Sequence, residues 1–160
     1  YFFFHLFIIL PLLSIGDQLR QLPLREVSSL IVSLKKTNEQ VGMVGIRKPS
    51  LHFYTNNIIF YESNDATSLV NLSERLRLEK RNSIKINSYE GNKNSKYFIL
   101  VIDEKTSNYN YWKNLNPEIL GQRSIYKVWR VNKKLLYDRA QELIRKGVIS
   151  NWQRPRPERI

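Results

Sequence analysis

The sequence predicts an α/β domain, a small, largely parallel sheet with flanking helices, preceded by a truncated transmembrane helix. Three observations predict it. Short apolar runs rich in β-branched and aromatic residues alternate with longer stretches of helical periodicity, the pattern of strands joined by crossover helices. Turn and capping residues fall between these segments at the places each element needs them. Residues 1–16, YFFFHLFIILPLLSIG, carry no charged side chain, whereas all 26 Lys and Arg follow them.

The apolar run is shorter than the about 20 residues that span a bilayer. The chain also opens on Tyr1 inside that run, so the expectation is a fragment that begins partway through a spanning helix. Pro11 suits the end of such a helix, and His5 would need to face protein or a cavity. A secretory signal peptide is the rival reading, because Ser14-Ile15-Gly16 offers small residues where cleavage needs them. It lacks a basic leading region, which favours the spanning helix. The expected organisation is the end of the last transmembrane helix over 1–16, a soluble domain over 17–150 and a basic tail over 151–160.

After the run, Leu24, Val27, Leu30, Ile31 and Leu34 recur at helical spacing, predicting an amphipathic helix from Pro23 to Lys36. Val41–Ile46 and Asn57–Glu62 have the length and composition of buried strands. Between them Pro49 opens a helical turn that places Leu51 and Tyr54 on one face, and Asn56-Asn57 ends it. Asn64-Asp65 caps a further helix through Leu69, Val70, Leu72, Leu76 and Leu78 to Glu79-Lys80-Arg81. Ile84–Ile86 is a weak strand candidate and Tyr97–Ile102 a strong one. Glu90–Ser95 reads as a solvated loop, Asp103–Asn116 as an irregular excursion and Pro117–Gly121 as a turn. Ile125–Val131 alternates as a strand, antiparallel if any strand is. Asn132 then caps a last helix, through Ile144, that Gly147 stops.

Chemistry is sparse. The chain has no cysteine and only two histidines, His5 and His52, so no metal-ligand spacing exists and no cofactor is expected in this chain. His52 reads as a partly buried structural residue. Asp103 and Glu104 are adjacent on a strand end and point to opposite faces, which suits a solvated strand end better than an acid/base pair. Gly42 and Gly45 lack the Lys-Ser/Thr of a phosphate loop, and Ser50 lacks a nucleophile elbow. No catalytic residue is assigned.

The net charge of +12 favours anionic surfaces, either lipid phosphates or nucleic acid. Basic residues beside aromatics at Tyr126–Arg130 and around Trp152 are what a single-stranded nucleic acid would use. Trp129 on a central strand reads as core, however, and a membrane segment argues against a nucleic acid partner.

Ser50, Leu51, Phe53 and Tyr54, followed by the strand Ile58–Glu62, resemble the soluble C-terminal part of bacterial membrane glycosyltransferases. The type is that of 4-amino-4-deoxy-L-arabinose transferases and protein mannosyltransferases. Arg20–Glu26 and Tyr126–Val131 are similar to cyanobacterial members. The resemblance covers most of the chain but only the tail of such an enzyme. It implies a sugar donor carried on a polyprenyl phosphate and a catalytic acid in an early loop upstream of Tyr1. The partners implied are membrane lipid, the lipid-linked sugar and the remainder of the same polypeptide. This segment would then form a lid or platform, with Arg20 and Arg25 available to lipid phosphates, on the extracytoplasmic side of the plasma (inner) membrane. A positive-inside count points the other way, but long domains translocate largely regardless of charge. The alternative is a non-enzymatic membrane-anchored or secreted basic domain that binds an anionic polymer or partner.

Overall fold

The computed structural model describes residues 10–86 and 95–151. The elements in order are α1 (Leu10–Leu34), β1 (Val41–Val44), α2 (Ser50–Thr55), β2 (Ile59–Glu62) and α3 (Ala66–Ile86). They continue with β3 (Tyr97–Asp103), α4 (Glu104–Ser107), α5 (Asn110–Lys113), β4 (Glu118–Arg123), β5 (Tyr126–Asn132) and α6 (Lys133–Arg145). Five strands form one sheet in the order β2-β1-β3-β5-β4.

The sheet is mixed rather than largely parallel. β1 runs parallel to both β2 and β3, while β5 is antiparallel to β3 and to β4. Only the first two connections, through α2 and α3, are helical crossovers of the kind parallel neighbours need. The expected turn at Pro117–Gly121 is instead the start of β4, which forms a hairpin with β5 through Ser124 at φ 52°. β4 lies at the sheet edge with Ile119 69% exposed and a register shift between Ile119 and Gly121. An exposed, bulged edge strand lacks the apolar alternation by which sequence reveals strands.

Side chains alternate across the sheet and build two apolar layers. One face carries Val41, Met43, Ile59, Ile99, Val101 and Val128 beneath α1 (Leu24, Val27, Ile31) and α2 (Leu51). The other carries Phe60, Phe98, Leu100, Ile102, Trp129 and Val131 beneath α3 (Leu69, Leu72, Leu76), α5 (Trp112) and α6 (Leu136, Ala140). Trp129 is core, as its position on a central strand predicts. Its indole N–H is the one buried side-chain polar atom without a partner among the described residues.

Two helices are longer than their periodicity suggests. α1 starts well before Pro23, which sits inside it, and covers residues 10–16 of the apolar run. Pro23 costs that helix one internal hydrogen bond, and Leu24, Val27 and Ile31 packed on the sheet hold the following turns regardless. α3 runs through Ile84–Ile86, because no Gly or Pro stops it at Arg81 and a three-residue alternation cannot interrupt an established helix. No helix among the described residues is long and apolar enough to cross a membrane. Residues 1–9, most of the Glu90–Ser95 loop and residues 152–160 lie outside the described residues.

The place where α1 meets the sheet is fixed by a buried ion pair. Arg130 Nε donates to Glu39 Oε1 at 2.9 Å, and its Nη2 donates to the carbonyl of Leu34 at 2.7 Å, the end of α1. Glu118 on β4 adds a longer contact at 3.4 Å. Burial works against the guanidinium charge, but the hydrogen bonds and charges of Glu39 and Glu118 outweigh it and raise the Arg130 pKa. Glu39 also accepts from the Lys36 amide at 2.9 Å, closing the turn after α1. Removing one partner strands the other charge in the interior. Glu39→Ala is therefore expected to lower unfolding stability by about 3–5 kcal/mol, read as a shift in urea midpoint with an unchanged slope.

Candidate functional site

In open α/β sheets, ligands bind beyond the carboxyl ends of the strands, at the point where neighbouring connections depart in opposite directions. Here that point lies between β1 and β3. The chain leaving β1 crosses one face through α2 to β2, whereas the chain leaving β3 passes through α4 and α5 on the other side to β4.

Asp103 fills this crevice. It ends β3, is 3% exposed, and acts as the N-cap of α4. Its Oδ1 accepts from the Thr106 amide at 2.9 Å, and its Oδ2 accepts from Thr106 Oγ1 at 2.6 Å and from the Ile46 amide at 3.0 Å. The last bond reaches across to the loop after β1. Burial alone would push this carboxyl up, but the donors from Thr106 and Ile46 outweigh it and lower its pKa. Tyr126, its register partner on β5, has its phenol pushed up by burial and by the Asp103 charge. Asp103 is thus a structural clamp rather than the expected solvated strand end. The sequence held a usable signal, since Asp three residues before Thr at a strand end is an N-cap pattern.

The clamp explains Gly45. The residue sits just past β1 at φ +83°, and a Cβ there would lie 1.7 Å from Asp103 Oδ2. No side chain fits without expelling the carboxylate. Gly45 serves backbone approach, not phosphate binding.

Around the clamp the edge is basic. Arg47 and Lys48 follow Gly45, Lys105 lies in α4, Arg123 ends β4, and Lys127 Nζ donates to Ser107 Oγ at 3.0 Å. Beyond β2, Tyr109 and Tyr111 stack with centroids 5.6 Å apart, and the Tyr111 hydroxyl donates to the Asn64 carbonyl. Burial, with the nearby Tyr109 and Asp65, pushes the Tyr111 phenol up to about 12. Glu62, also fully buried, is held by Arg75 at 2.9 Å and by Asn71 at 3.1 Å.

The residues singled out from sequence divide between core and surface. Leu51 is fully buried, Ser50 is half-buried at the start of α2, and Phe53 is 79% exposed. Tyr54 packs beside α1, its hydroxyl donating to Gln21 Oε1 at 3.2 Å and its ring lying 5.6 Å beneath the Arg25 guanidinium. Arg25 therefore serves the α1–α2 contact as well as facing solvent. Arg20 lies on α1, but its side chain is outside the described residues. His52 is exposed rather than partly buried, because it follows Leu51 onto the outer face of α2. Its Nδ1 is bonded to the Asn57 carbonyl. Among the described residues, no group of three His, Cys, Asp and Glu is placed to hold a metal ion.

The profile of one family, the C-terminal domain of cyanobacterial RgtA-type glycosyltransferases, matches residues 34–147. The chain belongs to that family. The match begins at the last residue of α1 and ends just past α6, so it contains the whole sheet, the Asp103 clamp and the Glu39–Arg130 pair. No curated protein and no solved structure matches the chain. In this glycosyltransferase domain the two buried carboxylates at the carboxyl edge, Asp103 and Glu62, are committed to internal donors, while Glu104 is exposed there among the basic side chains.

The Asp103 clamp has a defined pH signature. A carboxyl whose folded pKa lies below its unfolded value, about 3.9, stabilises above that value, and the contribution is lost as pH falls through the folded pKa. Asp103→Asn should cost about 1–3 kcal/mol near neutrality. The gap to the parent should close as pH drops below about 4, which urea titrations at a series of pH values will read.

Proposed function

We propose that this chain is the extracytoplasmic C-terminal domain of an integral-membrane glycosyltransferase whose donor is a sugar on a polyprenyl phosphate. The domain acts as a platform beside a catalytic cavity built by the remainder of the polypeptide, on the outer side of the plasma membrane. The observation that carries this reading is the family match across residues 34–147.

Two further features support it. α1 ends at the edge where β1 begins, as the bond from Arg130 to the Leu34 carbonyl fixes, so its leading turns run toward the opposite, carboxyl edge. Those turns continue the uncharged run of residues 1–16, which we take as the end of a spanning helix. The edge they approach carries Arg47, Lys48, Lys105, Arg123 and Lys127, and basic side chains close to a membrane surface attract lipid phosphates. Arg20 and Arg25 belong to the same end of the domain.

The test uses the full-length enzyme in membranes. Lys48→Gln, Lys105→Gln and Arg123→Gln together should lower kcat/KM for the lipid-linked donor at least about tenfold, since each basic residue near an anionic surface contributes about 1 kcal/mol. Unchanged transfer would remove the platform role. A cysteine placed at Ser124 should react with a membrane-impermeant maleimide from the outer face only. Labelling from the cytoplasmic face alone would overturn the placement.

A further inference from the structure

Three loops at the carboxyl edge hold an isoleucine in solvent. Ile46 follows β1, Ile125 lies in the hairpin turn between β4 and β5, and Ile149 lies on the chain leaving α6; they are 46%, 42% and 77% exposed. Turns favour Gly, Pro, Asn, Asp and Ser, each for a backbone reason that a β-branched apolar side chain does not supply. Residues that break a local rule in this way mark contacts made outside the domain.

The backbone beneath each isoleucine is pinned. The Ile46 amide donates to Asp103 Oδ2 at 3.0 Å, and the Ile125 carbonyl accepts from the Glu104 amide at 2.8 Å, so both loops are fixed at the end of β3. Ile149 stands between the Val148 amide, bonded to the Leu143 carbonyl at 3.0 Å, and the Asn151 amide, bonded to Asn71 Oδ1 at 2.9 Å.

Helix α1 sets how far this edge stands from a membrane. It is already held against α2 at Gln21, which accepts from the Tyr54 hydroxyl at 3.2 Å. The uncharged run ends at Gly16, and the intervening turn and a half rises only about 8 Å. The polar layer on each side of the hydrocarbon core is about 5–7 Å deep, so the edge loops come level with it. Leu12 and Ile15, on the turns that lead there, are 61% and 53% exposed and extend the apolar surface toward the core. Around the isoleucines stand Arg47, Lys48, Lys105 and Arg123, against the exposed carboxylates of Glu104 and Asp65. Asp65 is engaged in capping α3, its Oδ1 accepting from the Ser68 amide at 3.0 Å. The balance is cationic, which complements anionic lipid.

We propose that the carboxyl edge is seated in the bilayer, with Ile46, Ile125 and Ile149 inserted at the headgroup–acyl boundary of an anionic leaflet. The neighbouring basic side chains lie at the level of the lipid phosphates. The inference rests on the reading of residues 1–16 as the end of a spanning helix and names the bilayer itself as a partner of the platform. Three separated contacts fix the tilt of the domain, which a single helix cannot do.

The chain has no cysteine, so single labels can be read one position at a time. Ile46→Cys, Ile125→Cys and Ile149→Cys are each labelled with a nitrobenzoxadiazole dye in the 160-residue chain. Ile58→Cys and Ile119→Cys serve as comparison positions, 74% and 69% exposed at the opposite edge and on the flank of the sheet. The vesicles are equal parts phosphatidylglycerol and phosphatidylcholine, with or without a lipid spin-labelled near the top of its acyl chain. Emission at 46, 125 and 149 should shift to shorter wavelength and be quenched by the spin-labelled lipid, while 58 and 119 keep the emission of a dye in water. Quenching should persist in about 1 M salt, where the Debye length is about 3 Å and charge attraction alone fails. Dyes at the edge that stay in water, equal quenching at all five positions, or quenching lost in salt would each overturn the insertion. Wet edge positions alongside the loss of transfer expected for the Lys48, Lys105 and Arg123 variant would remove this inference and leave the platform. Inserted positions with unchanged transfer would do the reverse.

Discussion

The structure depends on a charge that has been taken out of water. Arg130 sits in the interior between the end of α1, the turn at Glu39 and the edge strand β4, and its guanidinium bonds to all three. A buried ion pair seldom adds much net stability over an apolar replacement, but it is strongly directional. Here direction is what the fold needs. The contact between α1 and the sheet is otherwise made of Leu24, Val27 and Ile31 on Val41, Met43 and Val128, and aliphatic packing alone tolerates sliding. The hydrogen bonds from Arg130 select one position.

The carboxyl edge follows from the same frame. Once β1 and β3 are neighbours, their departing chains diverge and leave a crevice, and Asp103 closes it by bonding to backbone on both sides. The crevice is thus filled by the protein's own carboxylate. A cavity of about 590 Å³ lies at the opposite edge, where β3 begins. The domain thus carries basic side chains at both edges, Lys48, Lys105 and Arg123 at one and Arg77, Lys96, Lys133 and Lys134 around the cavity at the other.

Much of this was legible in the sequence. The strands β1, β2, β3 and β5 and the helix α6 announce themselves through apolar runs, capping Asn132 and stop Gly147, because their burial is two-sided or strongly periodic. The Pro49 turn closes with Asn56 in the left-handed region, as its sequence implies. β4 escaped because an edge strand with Ile119 and Gln122 in solvent has no burial pattern to display. The polar framework escaped for a different reason. Glu39 and Arg130 are far apart in the chain and become partners only when the sheet orders them, so neither carries a local mark of its role, and Asp103 carries one for its cap on Thr106 but none for its bond to Ile46. Leu51 was legible as core, while the exposure of Phe53 and His52 depends on where α1 lies against α2.

The last described residues have an attachment of their own. Asn71, near the start of α3, accepts from the Asn151 amide at 2.9 Å and from Ser150 Oγ at 3.2 Å, beside the buried Glu62 at the end of β2. The chain is thereby returned to the carboxyl edge of the sheet, the edge that the first turns of α1 approach on the other face. A domain whose first helix and last described residues meet at one edge concentrates its end constraints there. The opposite edge can then vary in sequence and shape without altering how those ends are seated.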